Sequence, residues 1–534
     1  MRTRRHPLRL SHLAFGLWLA LPLCACNETP PPPTAPIQFS QVTAEAGIDF
    51  VHYNGFSGEY YYIETFGGGA AFFDYDNDGW LDLYLVNGTY IKGYPPDPLP
   101  VNKLYRNIGD GHFSDITAIS NLADSQYGFG VSAADYDADG DQDLFIANYG
   151  PNTFYRNDGT AFSEIGATIG VDDPRWGSSA GFLDYDADGD LDLFVVSDFA
   201  GIDLYHNDGT GFFTDVTAQV TSEASCFGMS HAFGDYNADG RLDLYVVGMS
   251  SHAARRIDYL GLGREEFPEH NRQRAAMSYG NRLYLGAEEG HFTIAPSTDQ
   301  VARTGWSWGV ASSDFDNDGD DEIYVANGHQ SGTTAKDYCS TFWTHDIYTG
   351  DSENDPQRAA FFDKNIADWN RAGISWNGFQ HNKLYLNGAG RSFVEIGYLM
   401  GVASEFDSRA VIDMDIDADG RMDLLFSEWS GKPPRERIHV LRNNWPGDNN
   451  WIGINLQGSA GTSPIGSRIT VQSSGASSTQ WVYIGESLDT QRSTRRHFGL
   501  GTRDRIEAVE VRWPNGRVTT LADPELNRYH EVTP

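Results

Sequence analysis

The chain has 534 residues, 40% of them hydrophobic and 13% aromatic, enough for a large folded body plus a smaller domain and too apolar for general disorder. Its 74 acidic residues outnumber 38 basic ones, and a formal net charge of -36 excludes nucleic acid and anionic lipid headgroups as natural partners. Glycine, at 58 residues, is frequent enough for an architecture of many tight turns.

Residues 1–26 read as an export signal. Arg2, Arg4, Arg5 and Arg9 precede an apolar stretch from Leu10 to Leu23 that is too short to span a membrane convincingly. It ends in Leu23-Cys24-Ala25-Cys26, which resembles a bacterial lipobox with Cys26 as the acylated residue. The alternatives are a plain cleaved signal or an uncleaved anchor. Asn27 is not the aspartate associated with inner-membrane retention, so an outer-membrane or cell-surface lipoprotein is expected, and otherwise a secreted protein. Residues 27–36 (NETPPPPTAP) form a spacer, because a proline run lacks the amide donors that a helix or central strand needs. A lipid anchor is then the only membrane contact expected.

From 37 to 445 one pattern recurs six times: DYDNDGWLD (74–82), DYDADGDQD (135–143), DYDADGDLD (184–192), DYNADGRLD (235–243), DFDNDGDDE (314–322) and DIDADGRMD (415–423). Apolar runs flank each copy, so each reads as two strands joined by a loop. A version of LYRN and then of FSDIT follows in phase, as at Leu104-Tyr105-Arg106-Asn107 and residues 113–117. Each unit thus offers about four short strands, the content of one propeller blade, and blades must stack to bury both faces. A further FSDIT equivalent, Phe39-Ser40-Gln41-Val42-Thr43, precedes the first loop, and a further LYRN equivalent, Val440-Leu441-Arg442-Asn443, follows the last. The first blade is thus expected to be assembled from both termini, closing the ring and removing a free edge. The expected fold is an all-β propeller of six blades, with a seventh left open by long insertions at 248–280 and 331–381.

The loop spacing carries a chemical logic. Acids at positions 1, 3 and 5 curl around one centre, glycine at position 6 permits the turn, position 7 offers a carbonyl and the acid at position 9 closes the shell. All-oxygen donors in flexible coordination favour calcium, up to six ions. The predicted ligands are Asp74, Asp76, Asp78 and Asp82, then Asp135, Asp137, Asp139 and Asp143, then Asp184, Asp186, Asp188 and Asp192. The later loops supply Asp235, Asn237, Asp239 and Asp243, then Asp314, Asp316, Asp318 and Glu322, and last Asp415, Asp417, Asp419 and Asp423.

These loops with their trailing LYRN and FSDIT elements resemble the FG-GAP and VCBS repeats of integrin-like propellers. The remainder, 450–534, resembles the ASPIC/UnbV domain that follows such repeats in the cartilage acidic protein family. The residues carrying that second resemblance are Asn450-Trp451-Ile452-Gly453-Ile454, Ile465-Gly466-Ser467-Arg468-Ile469-Thr470-Val471, His497-Phe498-Gly499-Leu500-Gly501 and Val511-Arg512-Trp513-Pro514-Asn515-Gly516, with Ser467 in place of the usual alanine. The resemblance implies an extracytoplasmic calcium-binding protein. Read from its own alternation, as in Ile506-Glu507-Ala508-Val509-Glu510-Val511-Arg512, 450–534 is a small antiparallel β domain. Its arginines 492, 495, 496, 503, 505 and 512 either dock it on the acidic body or form a solvated face.

Two function classes follow. A binding or adhesion module for a protein or carbohydrate would show exposed aromatics such as Trp343 and Trp376 at one propeller face. The alternative is a secreted hydrolase or lyase built from insertions 251–280 (His252, Arg255, Arg256, Glu265, Glu266, His270) and 329–381 (His329, Trp343, His345, Asp346, Trp376, His381). No zinc motif, nucleophile elbow or phosphate loop is present, so the binding module is the expected class. Beyond the signal only Cys226 and Cys339 remain, and in an oxidising compartment they can pair.

Overall fold

The computed structural model describes residues 44–55, 62–90, 98–109, 111–159, 161–262, 268–343, 364, 368–369, 371–429, 436–459, 462–488 and 490–534. The export signal, Cys26, the spacer and segment 39–43 lie outside these residues.

Six sheets follow one another along the chain. Blade 1 comprises β1 (Ala70–Phe73), β2 (Asp82–Leu85), β3 (Lys103–Asn107) and β4 (Phe113–Asp115). Blade 2 has β5 (Gly128–Ala134), β6 (Asp143–Asn148), β7 (Thr153–Asn157) and β8 (Phe162–Glu164). Blade 3 has β9 (Gly177–Leu183), β10 (Asp192–Ser197), β11 (Gly201–Asn207) and β12 (Phe213–Asp215). Blade 4 has β13 (Gly228–Gly234), β14 (Asp243–Gly248), β15 (Arg282–Gly286) and β16 (Phe292–Ile294). Blade 5 has β17 (Ser307–Ser313), β18 (Glu322–Asn327), β19 (Lys383–Asn387) and β20 (Phe393–Glu395). Blade 6 has β21 (Asp407–Met414), β22 (Asp423–Trp429) and β23 (Glu436–Leu441).

The strands within each blade are antiparallel neighbours in chain order, and the first strand of each blade packs on the first strand of the next, from β1 through β21. That is the geometry of a propeller. The crowding explains the small residues before each loop. A Cβ on Gly69 would meet Phe129 O of blade 2 at 2.5 Å, and one on Gly309 would meet Arg409 O of blade 6 at 2.4 Å. Strands β5, β9, β13 and β17 are consequently buried at every position. Blade 6 shows three strands, with Ile438 and Val440 exposed on its outer one. The expected assembly of the first blade from both termini is not what forms: blade 1 draws all four strands from 70–115, because its own LYRN and FSDIT segments pair in turn behind its loop, and segment 39–43 lies outside the described residues.

The insertions do not form a seventh blade among the described residues. The first folds as helices α1 (His252–Tyr259) and α2 (Pro268–Met277), the second carries α3 (Cys339–Trp343), and α1 packs on both of the others. Their apolar side chains join a core cluster at the propeller axis. Phe66 lies at its centre, with ring centroids 5.2 Å from Phe129, 5.1 Å from Trp176 and 5.3 Å from Trp308, which belong to or immediately precede the first strands of blades 2, 3 and 5. Helix formation wins there because the insertion buries Ala254, Ile257, Met277, Phe342 and Trp343 on one side only, against that cluster.

The C-terminal part forms two further sheets. β24 (Asn450–Leu456) lies between β27 (Arg495–Gly501) and β30 (Tyr529–Val532), and β25 (Arg468–Ser473) and β28 (Ile506–Arg512) are flanked by β26 (Ala476–Trp481) and β29 (Val518–Ala522). All pairs are antiparallel except β24 with β30, which is parallel, so the expected antiparallel domain is closed by one parallel strand. Residues from Thr43 to Pro534 form one compact unit.

Candidate metal centres

Each acidic loop joins the first two strands of its blade, and the residue before position 1 sits opposite the acid at position 9. The pairs are Phe73 with Asp82, Ala134 with Asp143, Leu183 with Asp192, Gly234 with Asp243, Ser313 with Glu322 and Met414 with Asp423. The position-9 acid is buried in all six loops. Its two oxygens each accept one backbone N–H: Asp82 takes Tyr75 N at 3.1 Å and Asn107 N at 2.8 Å, and Asp192 takes Tyr185 N at 3.1 Å and Asn207 N at 2.9 Å. This acid therefore staples the loop shut and retains lone pairs for an ion. The position-1 acid accepts from the amides of positions 5 and 6, as Asp74 does from Asp78 N at 3.0 Å and Gly79 N at 2.8 Å.

In four of the loops, three of the four predicted ligands come together. Oxygens of Asp74, Asp76 and Asp78 lie within 4.8 Å of one another, as do those of Asp135, Asp137 and Asp143, of Asp184, Asp186 and Asp192, and of Asp314, Asp316 and Glu322. Burial raises several of the loop acids. Asp82 and Asp135 are pushed up to about 6, Asp184 to about 7, Asp243 to about 8, and Asp143 and Asp192 to about 9. Asp314 and Glu322 are driven well above the carboxylate range, first by burial and then by neighbouring aspartates. Crowding ionised carboxylates in a dry turn is costly unless a cation offsets it.

Three observations test the fit to a hard divalent ion. The buried oxygens Asp76 Oδ1, Asp135 Oδ1 and Asp184 Oδ1 lack a hydrogen-bond partner. The donors of every loop are oxygens. Position 4 takes a left-handed backbone in all six loops, with φ of 55–64° at Asn77, Ala138, Ala187, Ala238, Asn317 and Ala418, a conformation unfavourable for alanine that only surrounding interactions sustain. The residues fit the ion.

The loops differ in how their charge is met. Arg106 pairs with Asp76 at 2.7 Å and Asp78 at 2.9 Å, Arg241 with Asp239 at 2.5 Å, and Arg421 and Arg442 with Asp419. In the third loop His206 stands where LYRN has arginine, its Nδ1 3.3 Å from Asp192 Oδ1. No basic side chain pairs with the carboxylates of the second and fifth loops among the described residues. The second, third and fifth loops carry the least compensated charge.

The C-terminal domain docks on this face, one of the two arrangements its arginines left open, through contacts that the sequence did not locate. Segment 482–492 threads the propeller axis. Tyr483 Oη donates to Phe233 O at 2.6 Å, Ser487 N to His231 O at 2.9 Å, and Gln491 Nε2 to Phe72 O at 3.4 Å. Ser179 Oγ donates to Gly485 O at 3.3 Å, and Val310 N donates to Ser487 Oγ at 3.2 Å. Arg492 pairs with Asp413 at 2.6 Å and with Glu486 at 3.2 Å. A Cβ on Gly485 would lie 2.5 Å from Ser132 Oγ, so the segment touches the first strand of every blade. Of the arginines expected either to dock the domain or to face solvent, Arg492 docks it, whereas Arg496 binds Trp481 O and Tyr483 O and Arg505 an exposed Asp523.

The axis is thus filled from both ends, and this corrects the expected aromatic binding face. Trp343 and Trp376 are buried in the axial cluster because rings there bury more apolar area than a surface patch allows. The histidines of the catalytic alternative sit apart from one another, although His329 lies against Trp376, their ring centroids 5.0 Å apart. His329 stacks 4.3 Å from Trp306 and is held well below the usual histidine range by burial, His381 lies 2.7 Å from Lys383 Nζ, and His252 is exposed on α1. Glu265, Glu266, His345 and Asp346, and the side chain of His270, lie outside the described residues. The Cys226–Cys339 bridge is not formed: Cys226 is sealed in the core between blades 3 and 4, while Cys339 Sγ lies 3.1 Å from Ser251 Oγ.

Buried histidines set an acid limit. His231 and His497 are held at about 3 by burial, against about 6.5 when solvated. The unfolded chain takes up protons there that the native one refuses, so their contribution is whole above about pH 6.5 and is lost as pH falls toward 3. In thermal unfolding, His231→Gln is expected to flatten the loss of stability below pH 6.5 by about one proton, or about 1.4 kcal/mol per pH unit. An unchanged slope refutes this assignment.

Among known proteins, the FG-GAP-like repeat family matches residues 74–146, 135–195, 184–246 and 274–325, and the ASPIC and UnbV family matches 458–534. Cartilage acidic protein 1 of Mus musculus is 22% identical over 485 residues, which cover 87% of this chain and 64% of that protein. The Xenopus tropicalis protein of the same name is 26% identical over 281 residues, 47% of this chain and 41% of that protein. The chain spans less than two thirds of the length of these relatives. Among solved structures, a lectin from Agrocybe aegerita that recognises non-reducing terminal N-acetylglucosamine aligns with a TM-score of 0.37 at 14% identity, covering 71% of this chain and 81% of that one. The V. cholerae biofilm matrix protein Bap1 aligns with a TM-score of 0.27 at 11% identity, covering 86% and 72%.

Proposed function

We propose that this chain, a protein of FG-GAP-like repeats ending in an ASPIC and UnbV domain, is an exported calcium-binding propeller that serves as a binding or adhesion module for a protein or carbohydrate. The observation that carries the reading is the set of curled acidic loops whose buried carboxylates, in the second and fifth, meet no cationic side chain among the described residues. Calcium supplies the missing charge when bound. In each loop the side chains of positions 1, 3, 5 and 9 would hold it, with Asn237 supplying a neutral oxygen in the fourth, and the position-9 acid would keep the two strands in register.

Export and acylation at Cys26 are part of the same proposal, supported by the N-terminal signal pattern; among the described residues no helix is long and apolar enough to cross a membrane. A binder rather than an enzyme is supported by the filled axis, where a propeller would otherwise gather reactive groups. The contact surface is assigned to blade 1. There Phe72 is 49%, Trp80 54% and Leu81 56% exposed around the first loop, and the C-terminal domain's hydrogen bond beside it goes to the Phe72 carbonyl, just before the loop. An exposed apolar group beside charged oxygens suits a sugar face or a protein side chain.

Calorimetric titration of the metal-stripped chain is expected to show uptake of several calcium ions. A glycan array and a pull-down from envelope extract, each with and without chelator, are then expected to show calcium-dependent capture that Trp80→Ala weakens. Absence of calcium uptake refutes the metal reading. Capture indifferent to Trp80→Ala refutes the assigned surface.

A further inference from the structure

The C-terminal domain does not merely lie over the acidic face: at the fifth and sixth loops it grips the loops themselves. His497 Nε2 lies 2.5 Å from Asn317 Oδ1, Gly501 N donates to Asn317 O at 2.7 Å, and Asn449 Nδ2 donates to Asp316 O at 2.9 Å. A Cβ on Gly499 would meet Asp314 Oδ2 at 1.9 Å, so β27 runs against a ligand carboxylate with no room for a side chain. Tyr529 Oη, from β30, donates to Asp415 Oδ2 at 2.7 Å, and a Cβ on Gly420 would collide with the Trp451 ring at 2.0 Å. The two loops are joined in turn, because Asn317 Nδ2 donates to Gly420 O at 2.8 Å.

Every one of these contacts is made to a loop atom whose position depends on the curled conformation. Asp314 and Asp316 stand at positions 1 and 3 of the fifth loop, Asn317 is its left-handed residue, and Asp415 is position 1 of the sixth. In the fifth loop Asp314 and Glu322 are 3% and 1% exposed, with no basic partner among the described residues, so an ion is what would hold that curl against mutual repulsion. The first loop offers the contrast, with Arg106 on Asp76 and Asp78 and, among the described residues, no hydrogen bond from the C-terminal domain to 74–82.

We propose that the fifth and sixth loops are ion sites shared between propeller and C-terminal domain, so that calcium uptake there and seating of the domain are one linked equilibrium. The inference rests on the calcium reading above. By reciprocity, whatever loosens the domain weakens the ion, and removing the ion loosens the domain.

The test uses the full chain, stripped of metal and titrated with calcium chloride, with calorimetry and hydrogen exchange run in parallel. Calcium is expected to slow exchange across 495–501. Tyr529→Phe, a conservative change outside the ligands, is expected to bind the same number of ions with about fivefold or greater loss of affinity at one class of site. Gly499→Ala, which places a methyl against Asp314, is expected to have the larger effect of the same kind. The double variant Asp76→Asn/Asp78→Asn is expected to lose one ion and leave protection at 495–501 intact. If calcium binds, yet exchange at 495–501 does not change and the Tyr529→Phe isotherm overlays that of the wild type, the coupling is wrong and the calcium reading stands. If the wild-type chain takes up no calcium, both are wrong.

Discussion

Calcium added in hundredfold excess over its dissociation constant is expected to stabilise the metal-stripped chain by about 2.7 kcal/mol for each site filled. Binding to several of the six loops together raises the unfolding temperature by more than about 10 °C, even after allowing for the larger unfolding entropy of a long chain. The size of the effect follows from what the ion removes. Position-9 acids are buried in every loop, and Asp143 and Asp192 titrate at about 9, so at neutral pH the metal-free fold holds them away from their ordinary ionised state. An ion restores ionisation and satisfies Asp76 Oδ1, Asp135 Oδ1 and Asp184 Oδ1 in the same step. Differential scanning calorimetry at fixed pH, with calcium against chelator, measures the shift. Coincident transitions in the two conditions refute calcium binding at these loops, and a shift given equally by magnesium refutes selectivity for the larger ion.

Arg492→Met is expected to destabilise the chain by about 3–5 kcal/mol, among the largest effects of any single side chain outside the loops. Arg492 reaches from the C-terminal segment to Asp413 on β21 at 2.6 Å and to Glu486 at 3.2 Å, and it donates to Ser312 O at 3.2 Å. Asp413 and Glu486 are each 3% exposed, so losing the guanidinium strands two carboxylates at the axis. Adding Asp413→Asn to Arg492→Met is expected to recover part of the loss, because one orphaned charge disappears. Urea unfolding of the two variants measures this. A cost below about 1 kcal/mol for Arg492→Met places the residue among solvent-screened pairs and refutes its role as the axial pin.

Because the axial segment touches the first strand of all six blades, propeller and C-terminal domain are expected to unfold in one transition in both experiments.

The repeat, the strand content of each blade and the ligand positions were legible in the amino-acid sequence because all three are local. A loop of nine residues with acids at alternate positions and glycine at the sixth has few ways to fold, and flanking apolar runs supply the hairpin whatever lies further along the chain. The repeated asparagine of LYRN was visible, but its work was not: Asn157 Nδ2 donates to Tyr75 O of the preceding loop at 2.8 Å, and Asn207 and Asn443 do the same for theirs. The helical insertions, the burial of Trp343 and Trp376 and the separation of Cys226 from Cys339 depended on which surfaces meet across the ring. No periodicity within a segment encodes those contacts. The glycines of His497-Phe498-Gly499-Leu500-Gly501 mark a close approach of backbone to something, and only the tertiary structure identifies it as an acidic loop more than a hundred residues away. Local chemistry determined what each loop can hold; long-range packing decided which loops the C-terminal domain grips and why the axis is closed.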